Sequence, residues 1–218
     1  MAIKDILFLF VLVVANPITV SAQYSEEDWI DRDAWMKVST LMELLNVSEN
    51  DHVADVGCHE GYFSFHLSEK VGDGGKVYAV DVADYRIDAL KQHIEDKGVT
   101  NIEAILGDFD NPKLPEDTLD AVIIMDTYHE MESYETIISH IKKALKPDGK
   151  LLVLEKLKKH KRGKSRKEQV AAHTLSSKYV KEELKAAGFE IENYIANFGY
   201  WKKEKDKQMW VLVAVPLQ

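Results

Sequence analysis

The chain has 218 residues, 45% of them hydrophobic and 30% charged, with a formal net charge of −9. That composition describes one globular domain with a short extension, and excludes a disordered chain or a general nucleic-acid binder. A single cysteine, Cys58, excludes an intrachain disulfide and a Cys-rich metal site, and the sequence singles out no metal-ligand set.

Residues 1–22 read as a targeting segment. Lys4 precedes an apolar run at 6–15, Asn16-Pro17 breaks it, and Val20-Ser21-Ala22 supplies small residues for a cut before Gln23. The run is short for a membrane span. The expectation is a signal peptide and an exported, periplasmic protein; an uncleaved N-terminal membrane anchor and a buried helix are the alternatives. Residues 23–50 are expected as a helical extension, with Trp35, Val38, Leu41, Leu44 and Leu45 on one stripe. Residues 51–218 then form the main domain.

Within it, apolar runs predict strands at 52–56, 76–81, 101–106, 119–125 and 150–154. Helical spacing predicts helices at 62–71, 85–97, 131–145 and 177–187, two of them closed by Gly98 and Gly188. Two last strands, 189–196 and 209–215, follow each other directly. Alternating strands and helices predict an α/β fold: a seven-stranded, mostly parallel sheet with helices on both faces and an antiparallel last strand.

Between the fifth strand and the last helix, residues 156–167 carry eight Lys/Arg and no acid. They read as a solvated mobile loop leaving the ligand edge of the sheet. Functionally, such a loop steers an anionic substrate or touches anionic lipid head groups.

Asp55-Val56-Gly57-Cys58-His59-Glu60-Gly61 joins the first strand to its helix. Glycines there let the backbone turn sharply and approach a ligand. The spacing is not G-x-G-x-x-G, which disfavours a nicotinamide dehydrogenase. Asp55, Asp81, Asp126 and Glu155 close strands, and the third strand runs into Gly107-Asp108. In a parallel sheet these acids converge on one edge, where ligands bind. Asp81 suits ribose hydroxyls, Asp108-Phe109 an adenine amino group, and Asp55 the glycine turn or an amino group. A wall of acids suits a cationic sulfonium better than a phosphate.

In order and spacing these segments resemble a class I S-adenosylmethionine-dependent methyltransferase from about Trp35 onward. The likeness rests on the glycine turn, the strand ending at Asp81, Gly107-Asp108, the strand before Asp126, Leu145-Lys146-Pro147-Asp148-Gly149 and Ala187-Gly188-Phe189. It implies S-adenosyl-L-methionine as cofactor, held by Asp55, Gly57, Cys58, His59, Gly61, Tyr62, Asp81, Val82, Gly107, Asp108, Phe109 and Asp126. Such families usually have glycine where this chain has His59. Asp126-Thr127-Tyr128-His129-Glu130-Met131 is similar to the small-molecule, ubiquinone/menaquinone-type branch. The resemblance implies methyl transfer to a small molecule, with Asp126 and His129 at the reaction and His129 as general base or substrate orienter. His129 as a helix-start cap is the plainer alternative. Tyr128, His173 and Trp201 are expected to wall the substrate pocket, with Tyr200 a further candidate. A rival reading is an exported methyltransferase-like fold that binds the cofactor, or serves structurally, without catalysis.

Overall fold

A computed structural model describes residues 26–217; the signal-like segment lies outside them. Seven strands form one sheet: β1 (His52–Val56), β2 (Lys76–Asp81), β3 (Ile102–Leu106), β4 (Leu119–Met125), β5 (Leu145–Lys158), β6 (Phe189–Tyr200) and β7 (Lys207–Pro216). Their order is β3-β2-β1-β4-β5-β7-β6. The first five run parallel, and β7 lies antiparallel between β5 and β6. This is the expected α/β architecture. The chain order reverses between β1 and β4, which opens a crevice at the carboxyl ends of the strands.

Two apolar layers hold the sheet. One face buries Leu41, Phe63, Leu67, Ile87 and Leu90 from the helices α1 (Glu26–Met36), α2 (Val38–Leu45), α3 (Tyr62–Val71) and α4 (Asp84–Lys97). The other buries Ile138, Ile141, Val180 and Leu184 from α5 (Tyr134–Ala144) and α7 (Ser177–Ala186), with the short α6 (Arg166–Val170) between them in sequence. Ile123 and Ile124, adjacent on β4, are fully buried on opposite faces. Each such side chain contributes roughly 1.5–3 kcal/mol of apolar burial. No helix of the described residues is long and apolar enough to cross a membrane.

Three expectations are corrected. The stripe from Trp35 to Leu45 is two helices, because Lys37 takes a left-handed conformation (φ 55) between them. Its ammonium donates to the Phe198 carbonyl at 2.6 Å, tying the break to β6. The helix expected from 131 starts at Tyr134, after a 3-10 turn at Tyr128–Glu130. Finally, β5 does not end at 154. It runs on to Lys158 because it pairs with β7 from Leu151↔Ala214 to Lys158↔Lys207. The basic stretch is therefore no loop at the ligand edge. Its first three residues belong to the sheet, Lys159–Lys161 form a 3-10 turn, and α6 follows, capped by Ser165 and Glu168 in a reciprocal box.

Candidate active site

The carboxyl ends of β1, β2 and β4 open into a cavity of about 970 Å³, also lined by residues that follow β3 and by Lys156 of β5. Small-molecule sites run to roughly 1,000 Å³, so this one has the room for a nucleoside-sized ligand with a second molecule beside it. The wall divides into a half built on β1 to β3 and a half built on β4 and β5.

In the first half the backbone makes the site. Gly57 N–H and Cys58 N–H both donate to the Val80 carbonyl, at 2.8 and 2.9 Å, bending the turn over β2. Gly57 has φ +82, and a Cβ there would stand 2.3 Å from the Thr127 methyl. Only glycine fits. His59 also has a left-handed backbone, φ 57, which explains why glycine suits the position and shows that a side chain is still accommodated. Burial, then the Arg86 charge, lowers the His59 pKa to about 4. The imidazole is neutral at ordinary pH and does not oppose a cationic ligand.

Asp81 accepts from His59 N–H and Ala83 N–H, each at 3.0 Å, with Arg86 at 3.5 Å. These contacts aim a nearly buried carboxylate into the cavity. Asp55 is buried and accepts from the Ser64 hydroxyl at 2.7 Å. Burial raises its pKa to about 6 against the lowering by Ser64 and Arg32. Burial also pushes the Cys58 thiol up, so it is an inert small residue lining the turn. Val82, Asp108 and Phe109 complete this end, with Phe109 presenting an exposed ring.

In the second half side chains make the site. Asp126, just past β4, has φ 53 and pairs with Lys156 of β5 at 2.5 Å. Burial and the Glu155 charge raise the Asp126 pKa to about 6, against the pull of Lys156. His129 is buried on the 3-10 turn. Its Nδ1 stands 2.8 and 3.0 Å from the two oxygens of Glu155, and its backbone N–H donates to the same carboxylate. Burial alone would lower the His129 pKa; the carboxylates of Glu155 and Asp126 outweigh it and hold it above its ordinary value. Nε2 stands 3.0 Å from Glu130, whose carboxylate also meets His173 Nδ1 at 2.6 Å. Thus Asp126, His129 and His173 do meet in one cavity, with Trp201 beside them.

Five expected contributors lie elsewhere. Tyr128 is fully buried in the apolar layer beneath α5 and α7, where its hydroxyl donates to Glu183. Successive residues of a 3-10 turn are rotated by about 120°, so with His129 and Glu130 lining the cavity Tyr128 turns into the core. Gly61 and Gly107 do not line the cavity: a Cβ on Gly61 would meet Leu90, and one on Gly107 would meet Val80. They serve packing. Glu155 is no strand-end acid but a fully buried residue inside β5, behind His129. Tyr200 is partly exposed and does not line the cavity either.

Sequence reasoning missed Arg32, Arg86 and Lys156 as parts of this wall. Arg32 comes from α1, 4.0 Å above the Tyr62 ring and near Trp201, with Nη2 2.9 Å from Met125 Sδ. The helical extension thus brings a cation to a cavity walled by acids. Only the aromatic setting of the extension hinted at this.

The family model of a methyltransferase domain matches residues 47–197. The chain belongs to that methyltransferase family. S-adenosyl-L-methionine is the cofactor of its class I members, and the wall described above fits it in chemistry: acids suit its cationic groups, and Arg32, on the same wall, suits its carboxylate. The chain is similar to the demethylmenaquinone methyltransferase of Geobacillus sp. (strain WCH70), 28% identical over 114 residues, covering 52% of this chain and 49% of that one. It spans about half the length of the curated relatives it matches. Among solved structures it resembles a SAM-dependent methyltransferase from Aquifex aeolicus, with TM-score 0.72, 22% identity and coverage of 89% and 100%. It also resembles the [4+2]-cyclase SpnF, with TM-score 0.70, 19% identity and coverage of 85% and 82%. These two likenesses establish the fold.

Proposed function

We propose that this protein transfers the methyl group of S-adenosyl-L-methionine to a small-molecule acceptor at the His129 end of the cavity. The bound cofactor supplies a methyl already activated on sulfonium sulfur. The protein then mainly aligns the acceptor and excludes water. Asp81 holds the ribose, Asp108 and Phe109 the adenine end, the glycine turn with Asp55 the amino group, and Arg32 the carboxylate. The observation that carries the reading is the second half of the wall. Asp126, His129, Glu130 and His173 converge beside the cofactor end, where a module that only held its ligand would need no such cluster. The fold alone does not fix the chemistry, since a cyclase shares it.

Purified protein is expected to bind S-adenosyl-L-methionine by calorimetry and to release S-adenosylhomocysteine in a screen of quinol, phenol, amine and thiol acceptors. No binding, together with an Asp81→Ala variant indistinguishable from the parent, sinks the proposal. Export remains part of it: the mature N-terminus from cells is expected at Gln23, and a chain starting at Met1 would point instead to an anchor or a cytosolic enzyme.

A further inference from the structure

We infer that His129, Glu130 and His173 form a site for a divalent first-row transition-metal ion, set at the acceptor end of the cavity. The inference rests on the methyl-transfer reading for its use, but not for its test. The sequence singled out no such set, because the three residues come from two distant segments. His129 and Glu130 lie on the turn after β4, and His173 lies between α6 and α7.

Among the described residues, one ligand atom from each lies within 4.8 Å of the other two. The Glu130 oxygen is 3.0 Å from His129 Nε2 and 2.6 Å from His173 Nδ1. Metal–nitrogen and metal–oxygen bonds of about 2.0–2.1 Å place tetrahedral ligand atoms about 3.3 Å apart. The two glutamate contacts therefore need to lengthen by less than an ångström, and the two histidine nitrogens already stand within 4.8 Å of each other. Glu130 and His173 are the ones free to do so, with side chains 53% and 69% exposed against 3% for His129.

What separates this cluster from a chance ion pair lies behind it. Glu155 is fully buried and holds Nδ1 of His129. A carboxylate on one imidazole nitrogen fixes the tautomer and turns the other nitrogen's lone pair outward, the usual support of a metal-ligating histidine. Here that other nitrogen is Nε2, on the side of Glu130 and His173. Charge points the same way. Asp126, Glu130 and Glu155 place three carboxylates around His129, while the neighbouring Lys156 is engaged with Asp126. A dication balances that excess.

Two imidazoles and one carboxylate select zinc, iron, cobalt or nickel over magnesium or calcium. Three protein ligands leave a position open, and all three residues line the cavity, so that position faces it. An acceptor hydroxyl or thiol bound there loses its proton to water more readily. The freed lone pair attacks the sulfonium methyl, the new O–C or S–C bond forms, and the electrons of the broken C–S bond return to sulfur as a thioether.

The test uses the full chain, stripped with a chelator and titrated with Zn²⁺ by calorimetry and with Co²⁺ by visible absorption. The expected result is one equivalent bound, with the absorption of a four- or five-coordinate cobalt site. His173→Ala and Glu130→Ala, both at exposed positions, are expected to weaken binding at least 10-fold, and Glu155→Gln 10- to 100-fold. All three should keep the S-adenosyl-L-methionine affinity of the parent within about 3-fold. No stoichiometric metal in the folded parent, or unchanged affinity in His173→Ala and Glu130→Ala, overturns the inference. Metal binding without cofactor binding would instead strike at the methyl-transfer reading and leave this one standing.

Discussion

The two halves of the cavity are built on different principles. On β1 to β3 the ligand wall is backbone and strand-end carboxylates: a glycine turn hung from Val80, then Asp55 on the Ser64 hydroxyl and Asp81 held by two backbone N–H groups. On β4 and β5 it is a network of paired side chains, Asp126 with Lys156 and His129 with Glu155 and Glu130. The first half presents acceptors to any ligand of the right shape. The second has its charges already matched against one another, so its chemistry depends on which pair is broken.

The largest effect should come from breaking the network. Lys156→Met leaves the Asp126 carboxylate nearly buried with its cation gone; the two side chains are 14% and 10% exposed. Removing one partner of such a pair costs about 3 kcal/mol, a fall of roughly 6–12 °C in melting temperature for a chain this size. The double variant Asp126→Asn/Lys156→Met should recover most of that loss, since asparagine tolerates the left-handed backbone at φ 53. A double variant as unstable as Lys156→Met would mean that packing, not charge, is the cause. Lys156 also lies 4.9 Å from the Trp201 ring.

The halves should also separate by ligand. Asp81→Ala removes the strand-end carboxylate and is expected to weaken S-adenosyl-L-methionine about 100-fold, or roughly 2.7 kcal/mol. Glu155→Gln, behind His129, should leave that affinity within about 3-fold. Calorimetry on both variants decides it. Equal losses would show that the two halves act as one site and that the division is wrong.

The same contrast explains how much the sequence revealed. The expected bounds of β1, β2, β4 and α3 coincide with the observed ones, because burial pattern and turn residues sit together in the chain. Asp55, Gly57, His59 and Asp81 were legible for the same reason, being within one βαβ unit. Glu155 was seen as an acid near the edge, but not as the support of His129. That role depends on β5 running past its apolar core, and the continuation is dictated by pairing with β7, which lies some fifty residues on. Lys156 looked like the start of a basic loop; only the fold turns it toward Asp126. Arg32 was hidden by the break at Lys37, which sets how α1 lies against the cavity. Tyr128 was misplaced because a 3-10 turn, not a strand end, decides which of two neighbouring residues faces the ligand.

The smallest effect concerns the cost of the first half. Asp55 is raised from 3.8 to about 6, burial being the main cause. A carboxyl whose folded pKa lies above its unfolded value gives stability that is fully present below pH 3.8 and lost as pH rises through about 6. At pH 8 the charged form therefore opposes folding by at most about 3 kcal/mol. Asp55→Asn keeps an acceptor for the Ser64 hydroxyl without the charge. It should melt a few degrees above the parent at pH 8, and the gap should close as pH falls toward 4. Saturating S-adenosyl-L-methionine should narrow the gap at pH 8, because the cationic cofactor stabilises the carboxylate that the empty fold resists. Melting curves at both pH values, with and without cofactor, test this directly. A gap that does not respond to the cofactor would mean that Asp55 only braces Ser64, and would leave Asp81 as the main acid the cofactor meets in that half.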